Sequence, residues 1–216
     1  MDRRVFLRLL MFAFGLFVMT LGIAMSTKAD VGTTPISSIP FVVNLASGVD
    51  FAIVTFVYNV LLVALQYVLL KKKFTVMHLI QLPVTLLFSL FTKITVEMVS
   101  FISPASYLEC WILIVVSVLT LGTGVAIVVN SRTTMVPGEG AVLALSLRFA
   151  VPFSRMKILF DVTNILIAAV LSLIFLGGLV GVREGTIFAA LTIGLVVRYV
   201  SKIIQRLFPD PENHIS

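Results

Sequence analysis

Residues 20–35 read TLGIAMSTKADVGTTP, and residues 120–137 read TLGTGVAIVVNSRTTMVP. Each stretch begins with Thr-Leu-Gly at the end of an apolar run, crosses a short polar patch containing Thr-Thr, and stops at a proline. Apolar residues then resume over 35–48 and 137–150. That length is short for a bilayer crossing and fits a half-helix or re-entrant segment. Proline suits the first turn of such a helix, where its missing N–H is an orphan in any case. A polar interruption written twice, each time ahead of a short helix, decides how the rest of the chain is read.

The surroundings are those of a membrane protein. The 216 residues are 59% hydrophobic and 12% charged, with a mean hydropathy of +1.13. So little charge cannot cover a soluble domain. Apolar runs long enough to cross a bilayer recur along the chain, and place six full spans at 5–26, 51–70, 75–101, 109–130, 156–177 and 185–205. The N-terminal run follows Arg3 and Arg4, is too long for a signal-peptide core and meets no small-residue cleavage site, so it reads as the first span. The single cysteine, Cys110, excludes an intramolecular disulfide and a multi-cysteine metal site. His78 and His214 belong to no ligand cluster, so neither a metal nor a cofactor is expected.

The net charge of +6 comes from basic residues flanking apolar spans, which points to topology and not to nucleic acid. With both termini cytoplasmic, Arg3, Arg4, Arg8, the run Lys71–Lys73, Arg132, Arg148, Arg155, Lys157, Arg198, Lys202 and Arg206 all fall inside. Lys28 and Arg183 fall outside, and Lys93 lies within the third span. This holds only if 35–48 returns to its own side. The two halves resemble each other further: FVYNVLLVAL at 56–65 matches DVTNILIAAV at 161–170, setting Asn59 against Asn164, and FTKI at 91–94 matches VSKI at 200–203. Three crossings per half is an odd number, so the second copy lies inverted. The expected fold is an all-α membrane protein of six transmembrane helices and two short half-helices. They form two inverted three-span repeats, 1–104 and 105–216, within one integrated membrane domain.

LGIAMSTKADVGTTPISSI and its degenerate copy VVNSRTTMVPGEGAVLALSL resemble the YczE/YyaS/YitT family of bacterial integral membrane proteins, with Ala29, Asp30 and Gly32 at the family's alanine, acidic and glycine positions. The ending LFPDPENHIS resembles the shorter YczE-like branch, because the YitT branch carries an additional soluble domain. The resemblance implies a duplicated six-helix fold in the bacterial cytoplasmic membrane and supplies no agreed substrate.

Polar residues at membrane depth are candidate sites, since each needs a partner or water. Asp30 is a wall of a substrate site or, with Lys28, an interfacial charge pair. Thr34, Ser37 and Ser38 extend the donors of a half-helix N-terminus, which favours an anionic group, or cap that helix. In the second copy Asn130, Arg132 and Glu139 are candidates. Glu139 also suits the helix dipole without any ligand, and Arg132 also suits a cytoplasmic-side topology charge. Asn59 and Asn164, kept in both copies, read a ligand or brace the short helices. Asp161 one turn after Lys157, and Glu97 one turn after Lys93, read as local ion pairs. No phosphate loop, metalloprotease signature or nucleophile–base set is legible, so an enzyme is not expected. The expected function is transport of a small solute, anionic or zwitterionic, through a central site between two half-helices. The alternative is a non-transporting capture or accessory subunit of another complex. Partners are then the lipid bilayer and the solute, with a homo-oligomer or accessory protein left open.

Overall fold

A computed structural model describes residues 3–207; residues 208–216, including His214, lie outside the described residues. Eight α-helices of 13 residues or more organise the chain: α1 (Arg3–Lys28), α2 (Pro35–Ser47), α3 (Phe51–Leu70), then, after a four-residue α4 (Val76–Leu79), α5 (Gln81–Met98), α6 (Tyr107–Ser131), α7 (Pro137–Phe149), α8 (Phe153–Leu176) and α9 (Glu184–Leu207). Two short helices stand where the proline-initiated segments place them. Pro35 and Pro137 open α2 and α7, and left-handed residues close them, Gly48 at φ 71° and Ala150 at φ 53°, a conformation that ends a helix by turning its last carbonyls back on the chain. The Asp50 carboxylate then accepts the Ala52 N–H at 2.8 Å and starts α3, the usual work of an N-cap.

Five helices, α1, α3, α6, α8 and α9, are long and apolar enough to cross a membrane. The span expected at 75–101 is not among them. A 3₁₀ turn at Lys71–Lys73 and the short α4 precede α5, which has 18 residues. Pro83 accounts for the interruption: it has no N–H to give to the carbonyl four residues back, so α4 cannot run on unbroken into α5. Gln81, Lys93 and Glu97 also lower the hydropathy of α5, and no ion pair joins Lys93 to Glu97 among the described residues.

The tightest packing joins α1 to α6, antiparallel. Gly22 faces the backbone of Leu121, Gly124 faces the backbone of Met19, and Gly15 faces Val128. Ser117 Oγ donates to the Gly22 carbonyl at 2.9 Å across the same seam. Lipid tails are as apolar as leucine, so helices in a bilayer associate through such close approaches and through interhelical hydrogen bonds. Phe12, Leu16, Met19, Ile23, Leu121 and Val128 build the core on this seam. The short helices pack on spans from the other half of the chain: α2 sets Val42 against Ala168 of α8, and α7 sets Ala141 and Val142 against Leu62 of α3.

The two polar breaks lie at opposite ends of α6. The first, 29–34, sits beside the start of α6, with Ala29 and Val31 packed on Cys110 and Ile114. It docks on the α8–α9 loop: Thr33 N–H donates to Gly181 O at 3.1 Å and Gly185 N–H to Val31 O at 2.7 Å. The second break follows the end of α6 and reaches α1, where Thr133 Oγ1 donates to Arg8 O at 3.4 Å.

A Cβ at Gly22 or Gly124 would meet backbone and not a yielding side chain. Gly22→Ala and Gly124→Ala are each expected to cost roughly 1–3 kcal/mol. At Gly194 nothing lies within 4 Å, and Gly194→Ala should be neutral or gain about 0.5–1 kcal/mol. Thermal unfolding of the purified protein in detergent checks this; equal melting of all three variants would contradict the close α1–α6 approach.

Candidate functional site

The N-termini of the two short helices meet inside the protein. Ile36, the second residue of α2, lies directly on Gly138, the second residue of α7, and fills the space a Cβ there would take. Beside this contact is a cavity of ≈ 30 Å³, closed by residues of α1, α2, α3, α5 and α7. About 10–15 Å³ suffices for one water, so the space is small but not empty of consequence. Its polar lining comes from Ser37 on α2 and from Thr55, Tyr58 and Asn59 on α3, and its apolar lining includes Met19, Ile23 and Phe88.

The hydrogen bonding of this lining is unusual for the molecule. The buried threonines of α5 give their hydroxyl to their own helix: Thr85 to Gln81 O, Thr92 to Phe88 O and Thr95 to Phe91 O, each at 2.8 Å. Thr55 does not, and neither does Thr34 at the N-cap of α2; both hydroxyls are buried with no partner. The side chains of Ser37 and Asn59, 6% and 7% exposed, make no hydrogen bond to another described residue. A buried polar group left in this state costs about 1–3 kcal/mol.

Asn164 has the opposite character. Its Oδ1 accepts from Tyr58 OH, its Nδ2 donates to Phe160 O at 2.8 Å, and its backbone carbonyl is 3.5 Å from Ser38 Oγ, which also donates to Pro35 O at 2.6 Å. Asn164 and Ser38 therefore brace the start of α2 and hold Tyr58, one layer behind the cavity. The structure thus gathers Thr34, Ser37, Ser38, Asn59 and Asn164 at one place.

The other candidates lie elsewhere. Asn130 ties α6 to α9, donating to Ser201 Oγ at 2.9 Å and accepting from Gln205 at 3.2 Å. Arg132 is exposed and closes α6 in the left-handed conformation, φ 53°. Asp30 is exposed, also left-handed, and its carbonyl takes Arg183 Nη1 at 2.8 Å; no ion pair joins it to Lys28 among the described residues. Glu139 is partly buried and does not line the cavity. Its Oε2 is shielded and unpartnered, under the electrostatic influence of the Lys157–Asp161 ion pair, which closes at 2.6 Å on α8.

A second, more open cavity of ≈ 220 Å³ lies towards the end that carries the second break, lined in part by Gln66, His78, Gln81, Thr134 and Gly140. Gln66 and Gln81, 0% and 4% exposed, exchange two amide hydrogen bonds at 2.9 and 3.0 Å. Gln66 Nε2 also lies 3.4 Å from Pro137 O, and Pro137 lines the small cavity. The amide pair therefore stands between the two spaces. Gly140 makes room for it, since a Cβ there would meet both amides within 2.9 Å. Sequence reading missed Thr55, Tyr58, Gln66 and Gln81. The signal for two of them was present: Thr55, Asn59 and Gln66 recur at helical spacing as one polar stripe on an otherwise apolar helix.

Five membrane-length helices, a lipid-suited surface and polar groups gathered inside define a multi-pass membrane protein. The chain belongs to DUF6198, a family of unknown function, whose model matches residues 6–202. No curated protein and no solved structure matches it.

Removing one amide of the Gln66–Gln81 pair strands the other. Gln66→Ala is expected to cost about 1–3 kcal/mol, while the double variant Gln66→Leu/Gln81→Leu, which removes both polar groups and keeps the volume, should melt close to the parent. Thermal unfolding of the two proteins reads the difference, and equal loss in both would show that packing and not pairing matters.

Proposed function

We propose that this chain is a transporter that moves a small solute, anionic or zwitterionic, through the site where α2 and α7 meet. The observation that carries this reading is the cavity beside Ile36 and Gly138. Three of its polar side chains, Ser37, Thr55 and Asn59, spend no hydrogen bond on the protein. Groups left unbonded at membrane depth suit a passenger that bonds them in transit. Two inverted repeats belong to the same reading. In its support, α1 and α6, which share Thr-Leu-Gly, run antiparallel, and their following breaks lie at opposite ends of α6. A duplication about the membrane normal would leave such equivalent helices pointing the same way. The orientation with both termini cytoplasmic rests on the basic residues of the end that carries Lys71 and Lys73. That end also holds the larger cavity, so in this reading the inward route passes the Gln66–Gln81 pair, which closes it here, and the docked 29–34 break shuts the outward side.

Proteoliposomes challenged with a panel of small salts and zwitterions, followed by stopped-flow light scattering, test this. The orientation of the inserted protein is read from a cysteine at position 73 in a Cys110→Ala background. One solute should re-equilibrate faster than in protein-free vesicles. Asn59→Ala should slow that flux and cost under about 1 kcal/mol of stability, because Asn59 has no partner to lose. Asn164→Ala should slow flux and also cost about 1–3 kcal/mol, because it strands Tyr58. Solute binding without flux would instead favour a capture subunit serving another complex.

A further inference from the structure

We infer that the cavity at the α2–α7 contact is a binding site for a dehydrated monatomic anion of chloride's size. The inference rests on the site reading above and narrows its solute class. Size is the first constraint: ≈ 30 Å³ holds roughly two waters, or one such ion, and no organic solute in this conformation. The second is the chemistry of the walls. Ser37, Thr55 and Asn59 line the space; the Thr55 hydroxyl is buried without a partner, and the side chains of Ser37 and Asn59 make no hydrogen bond to another described residue. Thr55 is 7% exposed, lines the cavity, and its hydroxyl has no partner.

The third constraint is electrostatic. The cavity abuts the N-termini of two 13-residue helices, where the dipole favours negative charge; the Ser37 N–H is already bonded to Thr34 O at 3.0 Å. The same ends disfavour a cation, whose carbonyl ligands would come from the far ends, at Gly48 and Ala150. No carboxylate lines the space; Glu139, one residue beyond Gly138, lies outside it, with its Oε2 buried and unpartnered. Walls of Met19, Ile23 and Phe88 exclude water and are polarisable, which suits a large, weakly hydrated halide and strengthens its attraction to the donors.

The test is the melting temperature of the full chain in detergent. Sodium chloride is titrated against sodium gluconate at constant ionic strength, and choline chloride then replaces sodium chloride. Chloride and bromide should raise the melting temperature saturably, whichever cation accompanies them, and gluconate should not. Thr55→Val should shift the chloride midpoint at least tenfold upwards while melting in gluconate at or above the parent, because the hydroxyl it removes has no partner. Ser37→Ala should shift the same midpoint and stands in if Thr55→Val does not fold. Stabilisation that follows sodium, an equal response to chloride and gluconate, or a midpoint unmoved in both variants would overturn the site. Chloride stabilisation in a protein that carries no solute would uphold the site and defeat the transport reading. Flux of an organic solute with no chloride effect would do the reverse.

Discussion

A backbone N–H or C=O inside a bilayer has to find a partner within the protein. This chain breaks its helices twice at positions next to membrane-spanning segments, and the rest of the structure follows from how those breaks are satisfied. The first break is tied down by reciprocal backbone bonds, Thr33 N–H to Gly181 O and Gly185 N–H to Val31 O, and by Ser26 and Thr33 sharing a hydroxyl bond of 2.7 Å. The start of α9 can come that close only because Gly185 has no side chain to set against the Val31 carbonyl. What the break cannot satisfy is the opening turn of the short helix that follows it. Both opening turns are turned inward, so their unpaired groups collect at one place.

The glycine seam between α1 and α6 and the polar cavity are thus parts of one arrangement. The seam sets the two long helices backbone to backbone, which brings Met19 and Ile23 to the cavity wall. Behind the wall, Asn164 fixes Tyr58 and Ser38 fixes Pro35, so the start of α2 is held without using the side chains of Ser37, Thr55 or Asn59. Towards the other end, the Gln66–Gln81 pair closes the floor with hydrogen bonds that water could replace. Of the polar residues on the wall, Tyr58 is tied back to Asn164, and Ser37, Thr55 and Asn59 make no side-chain hydrogen bond to another described residue.

Much of the frame was legible in the sequence. The short helices were bounded by Pro35 and Pro137, and the spans by runs of apolar length, because proline geometry and bilayer thickness act locally. Over 75–101 the structure has α4 and the 18-residue α5 in place of one unbroken helix, because apolar content alone does not register what Pro83 does to the helix before it. Asn59 and Asn164 were singled out from the repeat and Ser37 from the start of the short helix; the structure sets Ser37 and Asn59 on the cavity wall, and which of the two equivalent asparagines is bonded depends on Tyr58, a residue 106 positions away from Asn164 in the chain. Asn130 and Arg132 looked equivalent to the first break by alignment, yet lie on the α6–α9 contact and at the end of α6. Gln66 and Gln81 meet only in three dimensions.

The meeting of the two short helices is most directly tested by a disulfide between them. In a Cys110→Ala background, Ile36→Cys and Gly138→Cys are combined, the membranes are treated with copper phenanthroline, and free thiols are then counted with maleimide after denaturation. Contact between the helix N-termini predicts that both thiols are lost in the double variant and retained in each single variant. Two freely alkylated thiols in an oxidised double variant that melts like its parent would show that α2 and α7 do not meet, and the shared cavity would go with them.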